Sequence, residues 1–98
     1  MSSKPKDLFA SANGMSLHYR DWGGSGQPIV LLHGLASTSH IWDLVAPILS
    51  NDFRVVALDQ RGHGESDKPD DGYDFATVLN DLHLFLRELA FERPVIVG

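Results

Sequence analysis

Three short runs of apolar, largely β-branched residues punctuate the sequence, and they constrain the fold more than any other feature. The runs cover residues 29–32 in "PIVLLHG", 55–58 in "RVVALDQ" and 94–97 in "PVIVG". None alternates with polar residues, so each predicts a strand buried on both faces of a parallel sheet. Helical patterns separate the runs, which predicts an α/β fold in which crossover helices connect parallel strands.

An antiparallel hairpin is predicted ahead of these strands. In "SLHYRDW" the apolar Leu17 and Tyr19 alternate with polar residues, as in a strand with one exposed face. The segment "LFASANG" precedes it, and the dipeptide Asn13-Gly14 is typical of a tight hairpin turn. We therefore expect a turn at this dipeptide and an exposed position for His18.

Two segments between the buried strands have helical periodicity. The first, "STSHIWDLVAPILSN", offers Ser37, Thr38 and Ser39 as candidate caps. Pro47 within it predicts a kink or an early end. The second follows Asp74, another candidate cap, and is expected to face the sheet through one apolar stripe. The apolar positions are Ile41, Trp42, Val45, Ile48 and Leu49 in the first segment, and Phe75, Val78, Leu79, Leu82, Phe85, Leu86 and Leu89 in the second.

Composition and charge exclude several classes of function. The net charge is −5, and the eight Lys and Arg residues are scattered, so no basic patch is available for a nucleic-acid backbone. Cysteine is absent, and the spacing of the five histidines is not that of a metal site. No apolar run has the length of a membrane helix, and the first residues do not resemble a signal peptide. We expect a cytoplasmic protein that binds a small molecule, and neither nucleic acid, membrane nor metal.

The loop "HGLASTSHIW" follows the first buried strand. In an open parallel sheet, ligands gather at the carboxyl ends of the strands, where this loop lies. Gly34 lets the chain turn sharply there, and the backbone N–H groups after it are suited to stabilise a developing oxyanion.

The loop "DQRGHGESDKP" follows the second buried strand. Asp59 and Arg61 are expected to form an ion pair that holds the loop. Gly62 and Gly64 supply backbone conformations that other residues resist. Ser66 has no adjacent base, so we interpret it as a structural residue and not as a nucleophile.

These two loops, together with the closing "PVIVG", resemble the N-terminal portion of the α/β-hydrolase superfamily, from about Met15 onward. His33-Gly34 matches the oxyanion-loop motif of that superfamily, and the second loop matches its D-x-R-G-x-G-x-S motif. The resemblance implies that the backbone N–H of Leu35 contributes to an oxyanion hole. It also implies that no cofactor is needed.

The resemblance predicts where the reactive residues lie. In this superfamily a strand like "PVIVG" leads into a G-x-S-x-G elbow that carries the nucleophile, and Gly98 resembles the first glycine of that elbow. Residues 1–98 are therefore expected to be the N-terminal portion of a single hydrolase domain. The elbow, the acid, the base and a lid are expected outside these residues, as a continuation of the chain or as a second chain. Alone, residues 1–98 are expected to be inactive.

None of the histidines matches the catalytic base of the superfamily, which follows the nucleophile. His33 is expected to order the oxyanion loop through hydrogen bonds. His18, His40 and His63 are interpreted as structural or solvated, and His83 as a surface residue beside the apolar stripe.

Three functions remain open at this stage. Many epoxide hydrolases and dehalogenases of the superfamily have proline two positions after the histidine-glycine pair, where this chain has Ala36. This departure favours a serine hydrolase acting on an ester, lactone, thioester or carbon–carbon bond. The alternatives are an epoxide hydrolase or dehalogenase with an aspartate nucleophile, and a noncatalytic ligand-binding protein on the same fold.

Overall fold

The computed structural model describes residues 4–98, which form one five-stranded mixed sheet with helical segments packed against it. The strand order is β1-β2-β4-β3-β5, in which β3 pairs in parallel with both β4 and β5. The predicted α/β class, with an antiparallel hairpin followed by parallel strands, is confirmed. The elements are β1 Lys6–Ala12, β2 Met15–Gly23, β3 Pro28–Leu32, a 3₁₀ helix Ser39–Trp42, α1 Ala46–Leu49, β4 Arg54–Leu58, α2 Phe75–Glu88 and β5 Val95–Val97.

The hairpin of β1 and β2 turns where the sequence predicts it. Asn13 and Gly14 have φ angles of 53° and 74°. Two consecutive positive φ angles are the signature of a type I′ turn, whose twist matches that of the flanking strands. The strands pair antiparallel from Ala12 opposite Met15 outward.

The central strands β3 and β4 are buried on both faces, as their sequences predict. Ile29, Leu31, Val55 and Ala57 contribute to the core on one face of the sheet, with Ala46 of α1. Val30, Val56 and Leu58 contribute to the core on the other face, with Phe85 of α2. Full burial of a Val or Leu side chain contributes roughly 1.5–3 kcal/mol, so these two strands anchor the loops at their carboxyl ends.

Strand β5 differs from its prediction. Among the described residues it pairs only with β3, and Val95 and Ile96 are 39% and 41% exposed. The expectation of burial on both faces is therefore wrong for this part of the chain. The reason is that β5 is an edge strand here, with no neighbour on its second side among the described residues.

The first helical segment is shorter than its pattern predicts. It consists of the 3₁₀ helix, capped by the Thr38 hydroxyl, and the single turn of α1, in which Pro47 lies in the first turn. The predicted apolar face is wrong at Ile41, Val45 and Ile48, which are 53%, 44% and 68% exposed. Because proline is tolerated only at the start of a helix, it separates the two pieces and changes which side chains face the sheet.

Helix α2 begins as predicted, since the Asp74 carboxylate accepts a hydrogen bond from the N–H of Thr77 at 3.1 Å. Its apolar stripe is only partly buried. Phe85 is fully buried and its ring meets that of Tyr19 edge to face at 5.2 Å, whereas Phe75 and Leu79 are exposed. In residues 4–98, no helix has both the length and the apolar character needed to cross a membrane.

Candidate functional site

His33 lies directly after β3 and is 5% exposed. Its Nδ1 donates to the Gly34 carbonyl at 2.7 Å, and its Nε2 accepts from the N–H of Gln60 at 2.9 Å. The Gln60 side-chain amide donates to the His33 carbonyl at 2.7 Å. This pattern assigns the neutral ring with its proton on Nδ1. Burial lowers the pKa of His33 below its ordinary value, which keeps the ring neutral at pH 7.

Residues 34–37 form a turn that carries the candidate oxyanion donor. The Ser37 N–H donates to the Gly34 carbonyl at 3.2 Å, and Ala36 has a φ angle of 61°. A positive φ at the third residue alone is typical of a type II turn, which favours glycine at that position. For alanine this left-handed conformation costs roughly 1–2 kcal/mol. A hydrogen bond from the Ala36 N–H to His63 Nε2, at 3.2 Å, offsets part of that cost.

The Leu35 N–H is directed by the peptide group that it shares with Gly34. In a trans peptide the C=O and N–H point in opposite directions, and the Gly34 carbonyl faces two donors of its own loop, His33 Nδ1 and the Ser37 N–H. The Leu35 N–H therefore points away from both. Within residues 4–98 it donates no hydrogen bond, and the Leu35 side chain is 92% exposed. A backbone donor is thus held in place and left free.

A cleft of about 230 Å³ adjoins this turn. It is bounded by the turn on one side and by the loop after β4 and the start of α2 on the other. The lining residues are Gly34, Leu35, Gln60, Arg61, His63, Tyr73 and Val78. The oxyanion-loop motif at His33-Gly34 and the D-x-R-G-x-G-x-S motif that begins at Asp59 therefore meet at one edge of the sheet.

Asp59 is the first residue of the loop after β4, it is 1% exposed, and it makes several of the hydrogen bonds that hold this loop. Its carboxylate accepts from the N–H groups of Ser39 at 2.7 Å and Glu65 at 3.1 Å, and contacts His18 Nδ1 at 2.6 Å. Burial by itself raises the pKa of Asp59, but these hydrogen bonds outweigh it and hold the pKa below its ordinary value. Asp59 therefore ties the loop to the 3₁₀ helix and to β2.

The predicted ion pair of Asp59 with Arg61 is wrong. Arg61 pairs with Asp81 of α2, through Nε to Oδ2 at 2.8 Å and through a terminal nitrogen to Oδ1 at 3.0 Å. Hydrogen bonding to Asp81 raises the pKa of Arg61. The sequence does contain a signal for this partner, because Asp81 lies three positions after Val78 and four before Phe85, within the apolar stripe of the helix. A carboxylate at such a position is buried, and a buried carboxylate needs a cationic partner.

Gly62, Gly64 and Ser66 complete the loop. The two glycines have φ angles of 79° and 53°, and a side chain on Gly64 would collide with the Asp59 carboxylate. The Ser66 hydroxyl donates to the Asp59 carbonyl at 2.5 Å and accepts from the His18 N–H at 2.8 Å. The Ser66 hydroxyl therefore joins the loop to strand β2, and its proton is already used in a hydrogen bond to the Asp59 carbonyl.

His18 differs most from its expected position. It is 3% exposed, and its Nε2 lies 2.9 Å from the Asp7 carboxylate of β1 while its Nδ1 faces Asp59. The hairpin strand predicted to have one exposed face is covered there by the loop after β4. His40 and His83 are exposed, whereas His63 is partly buried beside the cleft. Over residues 4–98, no cluster of three or more metal-ligating side chains is present.

The arrangement combines a backbone N–H that has no hydrogen-bond partner within residues 4–98 with loops that hydrogen bonds and an ion pair hold beside a cleft. Backbone N–H groups held in this way stabilise negative charge that develops on a substrate oxygen. Gln60 and Asp81 support the loops although their sequence positions were not identified as functional, and Ser39, expected only as a helix cap, supports them through its N–H to Asp59.

Comparisons with known proteins give the family. Residues 27–98 match the α/β-hydrolase fold family. The chain is 38% identical to a soluble epoxide hydrolase of Corynebacterium sp. over 100% of its own length and 34% of the relative's. It is 39% identical to a putative non-heme chloroperoxidase of Synechocystis sp., over 86% of this chain and 30% of that protein.

Solved structures agree with these sequence matches. The epoxide hydrolase CorEH superimposes with a TM-score of 0.92 at 36% identity, covering 97% of this chain and 33% of that one. An N-formylmaleamic acid deformylase of Pseudomonas putida superimposes with a TM-score of 0.88 at 31% identity, covering 95% of this chain and 36% of that one. The chain spans about a third of the length of these relatives. On the sequence match and the shared fold, the chain belongs to the α/β-hydrolase fold family.

Proposed function

We propose that this chain is the N-terminal portion of a cofactor-free serine hydrolase, and that its own contribution to the chemistry is the Leu35 N–H. The complete enzyme transfers an acyl group from an ester, lactone, thioester or carbon–carbon substrate to a serine, with a histidine base and an acidic residue to orient it. The observation that carries the proposal is the free Leu35 N–H beside the cleft.

The energetic role of such a donor is large for a single backbone group. As the scissile carbonyl becomes tetrahedral, its oxygen gains negative charge, and the donor stabilises that charge more than it stabilises the ground state. Loss of one oxyanion donor typically lowers kcat by roughly 100- to 1000-fold. His33 holds the donor through the Gly34 carbonyl and does not itself transfer a proton.

The nucleophile, the acid and the base belong in this proposal to the remainder of the domain, present as a continuation of the chain or as a second chain. β5 is the strand that leads towards the predicted elbow, and its pairing with β3 places its carboxyl end beside the loop of Leu35. Residues 1–98 alone are expected to show no turnover.

The choice of an ester-type substrate is supported by Ala36. Its φ angle of 61° is closed to proline, whose ring holds φ near −65°, and its N–H donates to His63, a hydrogen bond that proline cannot make. The turn therefore differs in its backbone from one that carries proline at this position.

A second candidate is an epoxide hydrolase or dehalogenase with an aspartate nucleophile. It is favoured by the similarity to the epoxide hydrolases and by 42% identity to a fluoroacetate dehalogenase of Burkholderia sp. over 78% of this chain and 27% of that protein. The two candidates differ in the atom that attacks the substrate.

The decisive experiment uses the complete protein. A fluorophosphonate probe labels an activated serine and not an aspartate, and peptide mass spectrometry locates the label. A single turnover in ¹⁸O-water leaves ¹⁸O in the protein only when a carboxylate is the nucleophile. Stoichiometric serine labelling with ester turnover supports the proposal. Labelling of an aspartate by ¹⁸O would replace the serine hydrolase with the second candidate. The absence of both signals would favour a noncatalytic ligand-binding protein.

A further inference from the structure

His63 bridges the two loops that meet at the cleft. Its Nδ1 donates to the Arg61 carbonyl at 2.9 Å, and its Nε2 accepts from the Ala36 N–H at 3.2 Å. Its ring lies beside that of His33, with 4.8 Å between the ring centroids and 49° between the planes. Each histidine therefore holds a different peptide group of the same turn, since His33 contacts the Gly34 carbonyl.

The peptide group between Leu35 and Ala36 has two accessible orientations. Rotation of this peptide converts a type II turn into a type I turn, in which the third residue has a φ near −90°. The type I turn removes the left-handed strain at Ala36, so without another interaction the observed orientation is the less favourable one.

The bare Nε2 of His63 selects between these orientations. In the observed turn it receives the Ala36 N–H. In the rotated turn the Leu35 carbonyl would face the same nitrogen, so two acceptors would oppose each other. The rotated carbonyl would also point its negative end towards the cleft, which His63 lines together with Leu35. A developing oxyanion would then meet an acceptor.

We propose that His63 is a positioning residue for the oxyanion loop: as a neutral ring protonated on Nδ1, it holds the peptide between Leu35 and Ala36 in the orientation that keeps its carbonyl out of the cleft. The catalytic consequence rests on the proposed function. The structural consequence, which is a fixed tautomer of His63 and a fixed turn, does not depend on the proposed function.

The structural part is tested by nitrogen-15 NMR of the complete protein with labelled histidine. At pH 7.5 we expect the His63 ring to show a protonated Nδ1 and a bare Nε2. A ring protonated on Nε2 overturns the proposal, because that tautomer favours the rotated peptide. This measurement needs no catalysis, so it decides the point even when the complete protein proves inactive on esters.

The catalytic part is tested with two substitutions. His63→Phe keeps the ring packing but removes the acceptor, and we expect kcat to fall by about 10- to 100-fold, short of the loss of a whole oxyanion donor, with KM little changed. His63→Gln retains an acceptor oxygen and is expected to recover most of kcat. His83→Gln, at an exposed position on α2, is the matched control.

Labelling by the fluorophosphonate distinguishes a loss of the nucleophile from a misplaced oxyanion loop. When His63→Phe still labels stoichiometrically but turns over slowly, the nucleophile is intact and the loop is at fault, as proposed. A kcat for His63→Phe equal to that of the parent overturns the proposal. So does a loss in the folded His63→Gln variant that equals the loss in His63→Phe.

Discussion

Arg61 and Asp81 form a two-point ion pair that joins the loop after β4 to helix α2. Both residues are buried, at 7% and 3% exposed, and the Asp81 carboxylate also accepts from the Asn13 side chain at 2.8 Å. One carboxylate thus connects the hairpin turn, the loop after β4 and the helix. The cleft beside Leu35 depends on this connection because Arg61 is one of its lining residues.

Asp81→Asn in the complete protein is expected to lower the free energy of unfolding by about 3–5 kcal/mol, since it leaves the Arg61 guanidinium buried without a counter-charge. Urea unfolding followed by fluorescence measures the change. Glu88→Gln, an exposed substitution on the same helix, is the control and is expected to change stability by less than about 0.5 kcal/mol. An equally small effect of Asp81→Asn would show that the pair does not hold the loop.

Ala36 offers a test of the turn. Ala36→Gly is expected to stabilise the protein by up to about 1 kcal/mol, because glycine adopts a positive φ without strain. Ala36→Pro is expected to abolish most activity, since proline cannot reach a φ of 61° or donate to His63. Thermal unfolding and kcat of both variants are the measurements. Full activity of Ala36→Pro would contradict the turn geometry.

The pKa of His33 predicts an acid-sensitive loop. Because burial lowers this pKa below 6.5, the unfolded chain binds a proton more readily than the folded one as the pH falls below 6.5. Stability is therefore expected to rise with pH through this range and to be lost as the pH falls from 6.5 towards the folded pKa. His33→Asn keeps a donor for the Gly34 carbonyl but cannot titrate. Free energies of unfolding of the parent and of His33→Asn between pH 7.5 and 5.5 test this expectation. If the difference between the two proteins is the same at every pH, protonation of His33 does not cause the loss of stability.

Residues 1–98 alone are expected to self-associate, because Val95 and Ile96 leave an apolar strand edge exposed. Ile96→Lys should reduce the association, whereas Leu44→Lys, at an exposed position outside the sheet, should not. Sedimentation velocity measures both. A stable monomer of the parent chain with strongly protected β5 amides would show that this strand needs no partner.

The sequence predicts the fold well where the pattern is local. Val30, Leu31, Val55 and Val56 lie in short apolar runs, and the length of these runs and their β-branched residues favour a buried strand over a buried helix. The turn at Asn13 is equally local. The predictions for residues 37–49 were less accurate because Pro47 breaks the helical period.

The side-chain partners of the site lie beyond the reach of local patterns. The apolar stripe of α2 indicates that Asp81 is buried, but Arg61 lies 20 positions from it and His18 lies 41 positions from Asp59, so only the assembled sheet shows which side chains meet. The burial of His18 also needs the loop after β4 to cover the hairpin. The roles of Gln60 and His63 depend on backbone groups of another loop, which no residue pattern reports.

The most direct test of the central claim replaces the Leu35 N–H alone. The α-hydroxy acid analogue of leucine, incorporated at Leu35 in the complete protein, exchanges the amide for an ester and keeps the side chain. The same type of exchange at Glu92, in the loop before the amino end of β5, is the control. We predict that kcat for ester hydrolysis falls by roughly 100- to 1000-fold at Leu35 while KM changes little and fluorophosphonate labelling remains stoichiometric. A kcat equal to that of the control would show that the Leu35 N–H is not an oxyanion donor.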